Sequence, residues 1–310
     1  MMELLKTIFS VGIIAATFRM AVSVAYASLG TVFATRSGVL HMGQEGFMLT
    51  AALAGAAISF LTKNVWIGIC GAMVTGALLG LIYAFFTVSN RGNDVIIGVG
   101  FNFFGLGLST IMLQAVWGNQ GTSPSVPGIY NFMTTMAANA GNVWQQIFGT
   151  QNLLFVALLV IAIMAWIFLY RTPYGLRIRI TGELPVAVAC TGGNVIRIRY
   201  VCLIISGILI ALAGATVSLG QVKMFGRDMM GGRGFVGLAM CALGRYHPIG
   251  AVIGSMLYGF TEALQIRLQG EGVPAQFVQM IPYVFTIIVI ALSGSGRAPA
   301  AMGKPLPEDH

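Results

Sequence analysis

Charge is what this chain has least of. Asp, Glu, Lys and Arg make up 8% of its 310 residues, against about 25% in soluble domains. That is too few charged side chains to cover a water-facing surface, which excludes soluble one- and two-domain folds. Clustered cysteine is missing too: Cys70, Cys190, Cys202 and Cys241 are scattered without a paired spacing. They read as small hydrophobes, not as a disulfide or zinc framework. His41, His247 and His310 lie far apart, each read as a loop or interface residue, and no H-E-x-x-H pattern occurs, so no metal centre is expected. No G-x-x-x-x-G-K-[ST] stretch is present. The Gly-rich "GRDMMGGRGFVG" lacks the Lys-Ser/Thr ending that would cradle phosphates. No catalytic machinery is legible, and no cofactor or nucleic acid is expected on this chain.

Apolar residues are what is there: 57% of the sequence, with a mean hydropathy of +0.85. Runs at 8–30, 45–62, 66–88, 95–117, 152–170, 200–221, 249–268 and 276–293 are each long enough to cross about 30 Å of hydrocarbon at 1.5 Å per residue. The expected fold is an all-α polytopic membrane protein forming one domain over residues 1–310. Lys6, an apolar run and "AYA" at 25–27 imitate a signal peptide. Arg19 interrupts that run and more small apolar residues follow, so an uncleaved first span is expected. Two shorter Gly-rich pieces remain, 31–43 and 234–245.

Basic residues set the expected orientation. The segment 171–199, "RTPYGLRIRITGELPVAVACTGGNVIRIR", carries five arginines and one acid, a strong cytoplasmic signal. If both short pieces cross, Arg91, Arg245, Arg297 and Lys304 fall on the same side, and the count is ten crossings with both termini cytoplasmic. The stretch 118–151 has no Lys or Arg and lands outside. A weak internal echo links "ATRSGVLHMGQEGFMLTAALAGAAISF" with "GGRGFVGLAMCALGRYHPIGAVIGSMLYGF". Each runs from an arginine through a Gly-broken piece into a full span, as repeats do around transporter sites.

Within 171–199, Thr172-Pro173-Tyr174-Gly175 breaks the preceding span. "GELPVAVACTGG" then reads as a short helix: Pro185 suits its first turn, Glu183 its positive end, and Gly192-Gly193 its close. A compact helix in a basic loop fits docking to another protein or lying on anionic headgroups.

These residues carry a family resemblance. The family pattern is roughly G-x-x-x-R-x-x-G-x-x-P-x-A-A-x-x-x-G, then basic residues and a span with S-G-x-x-A-x-x-A-G, and this chain matches it at Gly175, Arg179, Gly182, Pro185, Ala187, Gly192, Ser206, Gly207, Ala211 and Gly214. It departs at Val188, where a second Ala is usual. This resembles permease subunits of bacterial ABC importers for simple sugars, branched-chain amino acids and nucleosides. "SGVLHMGQEGFML" is similar to the nucleoside-type branch, with His41 and Met42 in place of Asn-Ile. The resemblance covers about residues 20–293. It implies a type II ABC importer transmembrane domain of ten helices in the bacterial cytoplasmic (inner) membrane. It also implies a coupling helix over 182–192, with Gly182, Glu183, Leu184, Pro185, Val186, Ala187, Val188 and Ala189 meeting a separate ATPase. The implied partners are an ATPase with two nucleotide-binding halves, which would hold the ATP and Mg, a second and different permease subunit, and a substrate-binding lipoprotein. A simple-sugar permease and a stand-alone secondary transporter are the alternatives.

Six side chains stand out as pathway candidates. Glu45, preceded by Gln44, places a carboxylate near a span, where insertion costs about 2.5–3.5 kcal/mol at a helix centre. It either caps a helix, pairs with Arg19 or Arg36, or meets substrate. Asn102, beside Phe103, either hydrogen-bonds substrate or a neighbouring helix. Glu262 and Gln265 share a helix face and either line the pathway or pair with a neighbour. Arg227, Asp228 and Arg233 are expected in an outer loop.

Overall fold

The computed structural model describes residues 11–119, 121–129, 151–269, 274–293 and 297–304. Among these the chain is all-helical apart from an isolated bridge between Thr122 and Gly226. The helices are α1 (Val11–Arg36), α2 (Gln44–Thr62), α3 (Val65–Ala84, ending in a π turn at Phe85–Ser89), α4 (Asp94–Trp117) and α5 (Leu153–Arg171). Two short helices follow, α6 (Pro173–Glu183) and α7 (Pro185–Cys190). Then come α8 (Val195–Ala215, extended by a π turn at Thr216–Val222), α9 (Arg233–Leu243), α10 (Pro248–Leu268) and α11 (Ala275–Ser293). Seven helices are long and apolar enough to cross a membrane; α9 and the 276–291 stretch of α11 are shorter. The expected ten crossings are therefore not all found as separate full-length helices.

The core forms around α1, α2 and α8. Helices this apolar on every side must be covered by others. α8 is the most enclosed of the spans and α4 the most exposed. Glycine lets the backbones close: a Cβ on Gly207 would stand 2.2 Å from the Gly76 carbonyl oxygen, and one on Gly214 2.2 Å from that of Met48. Such contacts replace the hydrophobic driving force that lipid cannot supply.

The first two expected crossings are one. α1 runs unbroken for 26 residues to Arg36, through Ala25, Tyr26 and Ala27, all fully buried. Gly30, where the expected span 8–30 ended, is a packing glycine; a Cβ there would meet the Ser206 carbonyl oxygen at 2.9 Å and the Ile210 side chain at 2.8 Å. Residues 37–43 are not a crossing helix. They rise from Asp94, whose Oδ2 accepts from Leu40 N at 2.8 Å, to Asn102, whose Nδ2 donates to the Met42 carbonyl at 3.0 Å. Eight residues along α4 is about 12 Å, so α2 begins well inside the bundle.

Two faces result. The basic face carries α6, α7, Arg36, Arg245 and residues 297–304. The opposite face carries 121–129, which pair with 219–227 through Ser123 N to Phe225 O (2.8 Å) and Val126 N to Lys223 O (2.9 Å). Ala15, near the start of α1, is also there, its carbonyl accepting from Gln151 Nε2 at 2.9 Å. The expectation that both termini are cytoplasmic falls on residues 1–10 and 305–310, which lie outside the described residues. So do residue 120 and 130–150, most of the expected outer loop 118–151.

Candidate functional site

The basic face is formed by two short capped helices, α6 and α7. Thr172 caps α6, its Oγ1 accepting from Gly175 N at 3.1 Å, and Pro173 fills the first helical position, where no N–H is needed. α7 is shorter than the 182–192 expected and covers Pro185–Cys190. It ends in a paired glycine cap: Gly193 N donates to Val188 O and Gly192 N to Ala189 O, both at 2.9 Å, with Gly192 at φ +75. Val188 points inward and is buried, whereas Leu184 and Val186 are exposed. Pro185, Ala187 and Ala189 are half-buried between them. Glu183 does not serve the start of α7. It is the last residue of α6, and its Oε2 accepts from Ala300 N at 3.1 Å.

That contact belongs to a clasp that sequence reasoning missed. Residues 299–304 return under α6: Ala301 N donates to Gly182 O at 2.9 Å and Gly303 N to Gly38 O at 3.2 Å. Gly182 itself touches the end of α1, where a Cβ would stand 2.4 Å from the Arg36 carbonyl oxygen. The signal was faint: only the glycines of "APAAMGKP" and "RSGVL" hinted at close backbone approach.

From the clasp a chain of polar contacts leads into the bundle. Arg36 donates from Nε to Tyr246 O at 2.8 Å and from a terminal nitrogen to Tyr170 Oη at 3.2 Å. The Arg179 guanidinium lies 4.6 Å from the Tyr170 ring, so α6 also touches that tyrosine. Arg245 and Tyr246 both take positive φ, +55, in the tight turn after α9. α9 spans about 16 Å at 1.5 Å per residue and ends at the most telling contact in the molecule. Glu45 Oε1 accepts from Gly232 N and Oε2 from Gly234 N, each at 2.8 Å. Its carboxylate caps α9, at the helix end where partial positive charge collects. The second Gly-broken piece is thus helical while the first is not, and the two meet through Glu45.

The other candidates divide. Asn102 is consumed by the start of α2: its Oδ1 accepts from Gly46 N at 2.9 Å while its Nδ2 holds Met42. Gln44 is buried and donates to His41 O at 2.9 Å. His41 lies in the non-helical segment 37–43, as a loop residue, but not at a surface. It is fully buried, stacked 4.4 Å from Tyr83 and edge-on to Phe47 at 4.6 Å. Glu262 pairs with Arg233 at 2.5 Å, leaving its other oxygen without a partner. Gln265, one turn on, is half-buried. Phe103 stands on the outer face of α4, 71% exposed, away from this cluster. Arg233 is no outer-loop residue: it opens α9.

Arg233 also reaches a cavity of about 750 Å³ at the opposite face, within the range of small-molecule sites, about 300–1,000 Å³. Arg19, Gln221, Lys223 and Met229 line it with Arg233, and Gln221 Nε2 donates to Arg19 O at 2.9 Å. The arrangement is a cavity on one face, the short helix α7 with its exposed Leu184 and Val186 on the other, and the Glu45–α9 junction between them. Among the described residues, no group of His, Cys, Asp and Glu could hold a metal.

The family model described as "Branched-chain amino acid transport system / permease component" matches residues 13–290. The chain belongs to that family. This permease is similar to the guanosine ABC transporter permease NupQ of Bacillus subtilis (30% identical; 94% of this chain, 95% of the relative). It is also similar to the nucleoside ABC transporter permease NupC of Lactococcus lactis (33%; 90% and 91%). A second permease from each organism, NupP and NupB, matches at 23%. A solved candidate metal-chelate-type ABC transporter in an inward-facing conformation shares the fold, with TM-score 0.53, 15% identity, and 93% and 88% of the two chains covered. The permease is therefore a transport subunit and not itself an enzyme.

Proposed function

We infer that this permease forms half of the transmembrane pathway of an ATP-driven nucleoside importer in a bacterial cytoplasmic membrane, with its basic face in the cytoplasm. The observation that carries the reading is the continuous path from the exposed face of α7, through Tyr170, Arg36 and α9, to Glu45. A separate ATPase, holding the ATP and Mg, would seat Leu184 and Val186 of α7. Closure of its two nucleotide-binding halves would move α6 and α7, and Arg36 would transmit that motion to α9. Two packings of α9 against the start of α2 are the bistable element such a switch needs.

NupQ and NupC, named for guanosine and nucleosides, support the substrate class. The pairing of a near and a distant relative in each organism supports a heterodimer with a different permease subunit. An extracytoplasmic binding lipoprotein would deliver the nucleoside to the cavity between Arg19 and Arg233. There Gln221 offers an amide to hydroxyls and base edges, and Glu262 holds Arg233 in the cavity wall. Gln44, Glu45 and Asn102 act by shaping the junction beneath.

The test is uptake by the complete complex in proteoliposomes. Labelled guanosine, adenosine or uridine should accumulate only with ATP inside and binding protein outside. Accumulation of ribose and of no nucleoside would overturn the substrate class. Uptake unaffected by Val186→Arg in an assembled complex would overturn the docking role of α7.

A further inference from the structure

A cavity of about 590 Å³ at the basic face is separate from both the transport cavity and the docking surface. It lies between the end of α5, the first turns of α6 and the start of α8, and Leu184 and Val186 are not part of it. Its rim carries Arg177 and Arg197; its floor is Phe168, Ile198, Val201 and Cys202. The spacing makes this layering unavoidable. Tyr174 and Arg177 are three residues apart on α6, and Arg197 and Val201 four apart on α8, so each pair shares a helix face. Gly192 leaves one wall open, with nothing within 4 Å of where its Cβ would be.

The two rim arginines differ from the other three in the loop. Arg171 packs 5.7 Å from the Trp166 ring and Arg179 packs on Tyr170. Arg199 is buried, facing Asp94. Arg177 and Arg197 are exposed and make no ion pair among the described residues. From Asn194 to Cys202 the lining follows α8 for about 12 Å, more than the roughly 5–7 Å of one headgroup layer. The pocket therefore starts in the interface and ends in hydrocarbon. A free anion would use only its rim, and a soluble partner would not reach its floor.

We propose that this cavity is a binding site for one anionic phospholipid, with the phosphate held between Arg177 and Arg197 and acyl chain against Ile198 and Val201. Basic pockets between helices on a cytoplasmic face recognise acidic headgroups in this way. The bound lipid would brace α6 against α8 beside the coupling helix.

Native mass spectrometry of the complete complex, exchanged into detergent with equimolar phosphatidylglycerol and phosphatidylcholine, tests the site. The wild type should retain phosphatidylglycerol selectively. Arg177→Gln with Arg197→Gln should bind it about 30-fold more weakly, from about 1 kcal/mol per basic residue. Val201→Trp, which fills the floor and keeps both arginines, should also release it. Equal retention by the wild type and the double variant would overturn the proposal. So would displacement of the lipid by millimolar inorganic phosphate, which marks a free-anion site. Loss of the ATPase subunit from the double variant would also refute it, because the pocket would then be a subunit interface.

Discussion

Replacing Glu45 separates a structural junction from a substrate contact. Its carboxylate makes two charge-assisted hydrogen bonds, to Gly232 N and Gly234 N, each 2.8 Å. Removing a partner of a charged hydrogen bond costs about 1.5–3 kcal/mol, and lost charge at a helix N-terminus adds about 0.3–1 kcal/mol. Glu45→Gln keeps the volume and one acceptor but turns an amide N–H toward a backbone N–H. It should destabilise the assembled complex by about 2–3 kcal/mol, and Glu45→Ala, which leaves both donors bare, by about 3–5 kcal/mol. Gly234→Ala attacks the junction from the other side, since its Cβ would stand 2.6 Å from Glu45 N and 2.8 Å from Oε2. Thermal unfolding of the complex reads the stability, and proteoliposome uptake reads the coupling. All three variants should lower the unfolding temperature and uncouple ATP hydrolysis from uptake while KM for the nucleoside stays near wild type. If Glu45→Ala leaves unfolding unchanged but raises KM tenfold or more, Glu45 contacts substrate and the capping account fails.

Asn102→Ala should cost about 1–3 kcal/mol, because Gly46 N loses its acceptor inside the bundle; a chemical denaturation curve checks it, and an unchanged midpoint would refute the role. Ala301→Pro removes the N–H that holds Gly182 O; ATP hydrolysis should persist while uptake falls several-fold, and full uptake would show the clasp to be idle. Gly182→Val should abolish transport in an otherwise inserted protein, its Cβ placed 2.4 Å from the Arg36 carbonyl oxygen; ordinary uptake would refute that contact.

Much of the plan was legible in one dimension. Membrane class, the spans α2 to α5, α8 and α10, and the short helices of the basic 171–199 segment follow from run length, arginine placement and Pro-Gly punctuation, because lipid forces each crossing helix to satisfy its own backbone. The site was legible only in part. Glu45, Glu262 and Asn102 stood out as polar atoms in apolar surroundings, but a sequence does not say which partner removes the cost of burial. Asn102 found the backbone of α2 and Glu45 the amides of α9, 187 and 189 residues away.

Glycine marks the boundary between the two kinds of knowledge. Gly192 and Gly193 were read correctly as a helix close, because the turn they make is local. The division between the expected span 8–30 and the short piece 31–43 was not found, because Gly30 sits inside α1, where it admits Ser206 and Ile210 from another helix. The same applies to Gly182 and the clasp of 299–304, whose hydrogen bonds join segments that share no local pattern. By itself the sequence determined that this protein lives in a membrane and where its charges gather, since each follows from the cost of putting polar groups in lipid. Only the tertiary structure decided that residues 11–36 form one unbroken helix, that α9 opens at the cavity, and that Glu45 caps it. Those outcomes depend on which backbones approach within hydrogen-bonding distance, and packing alone chooses that.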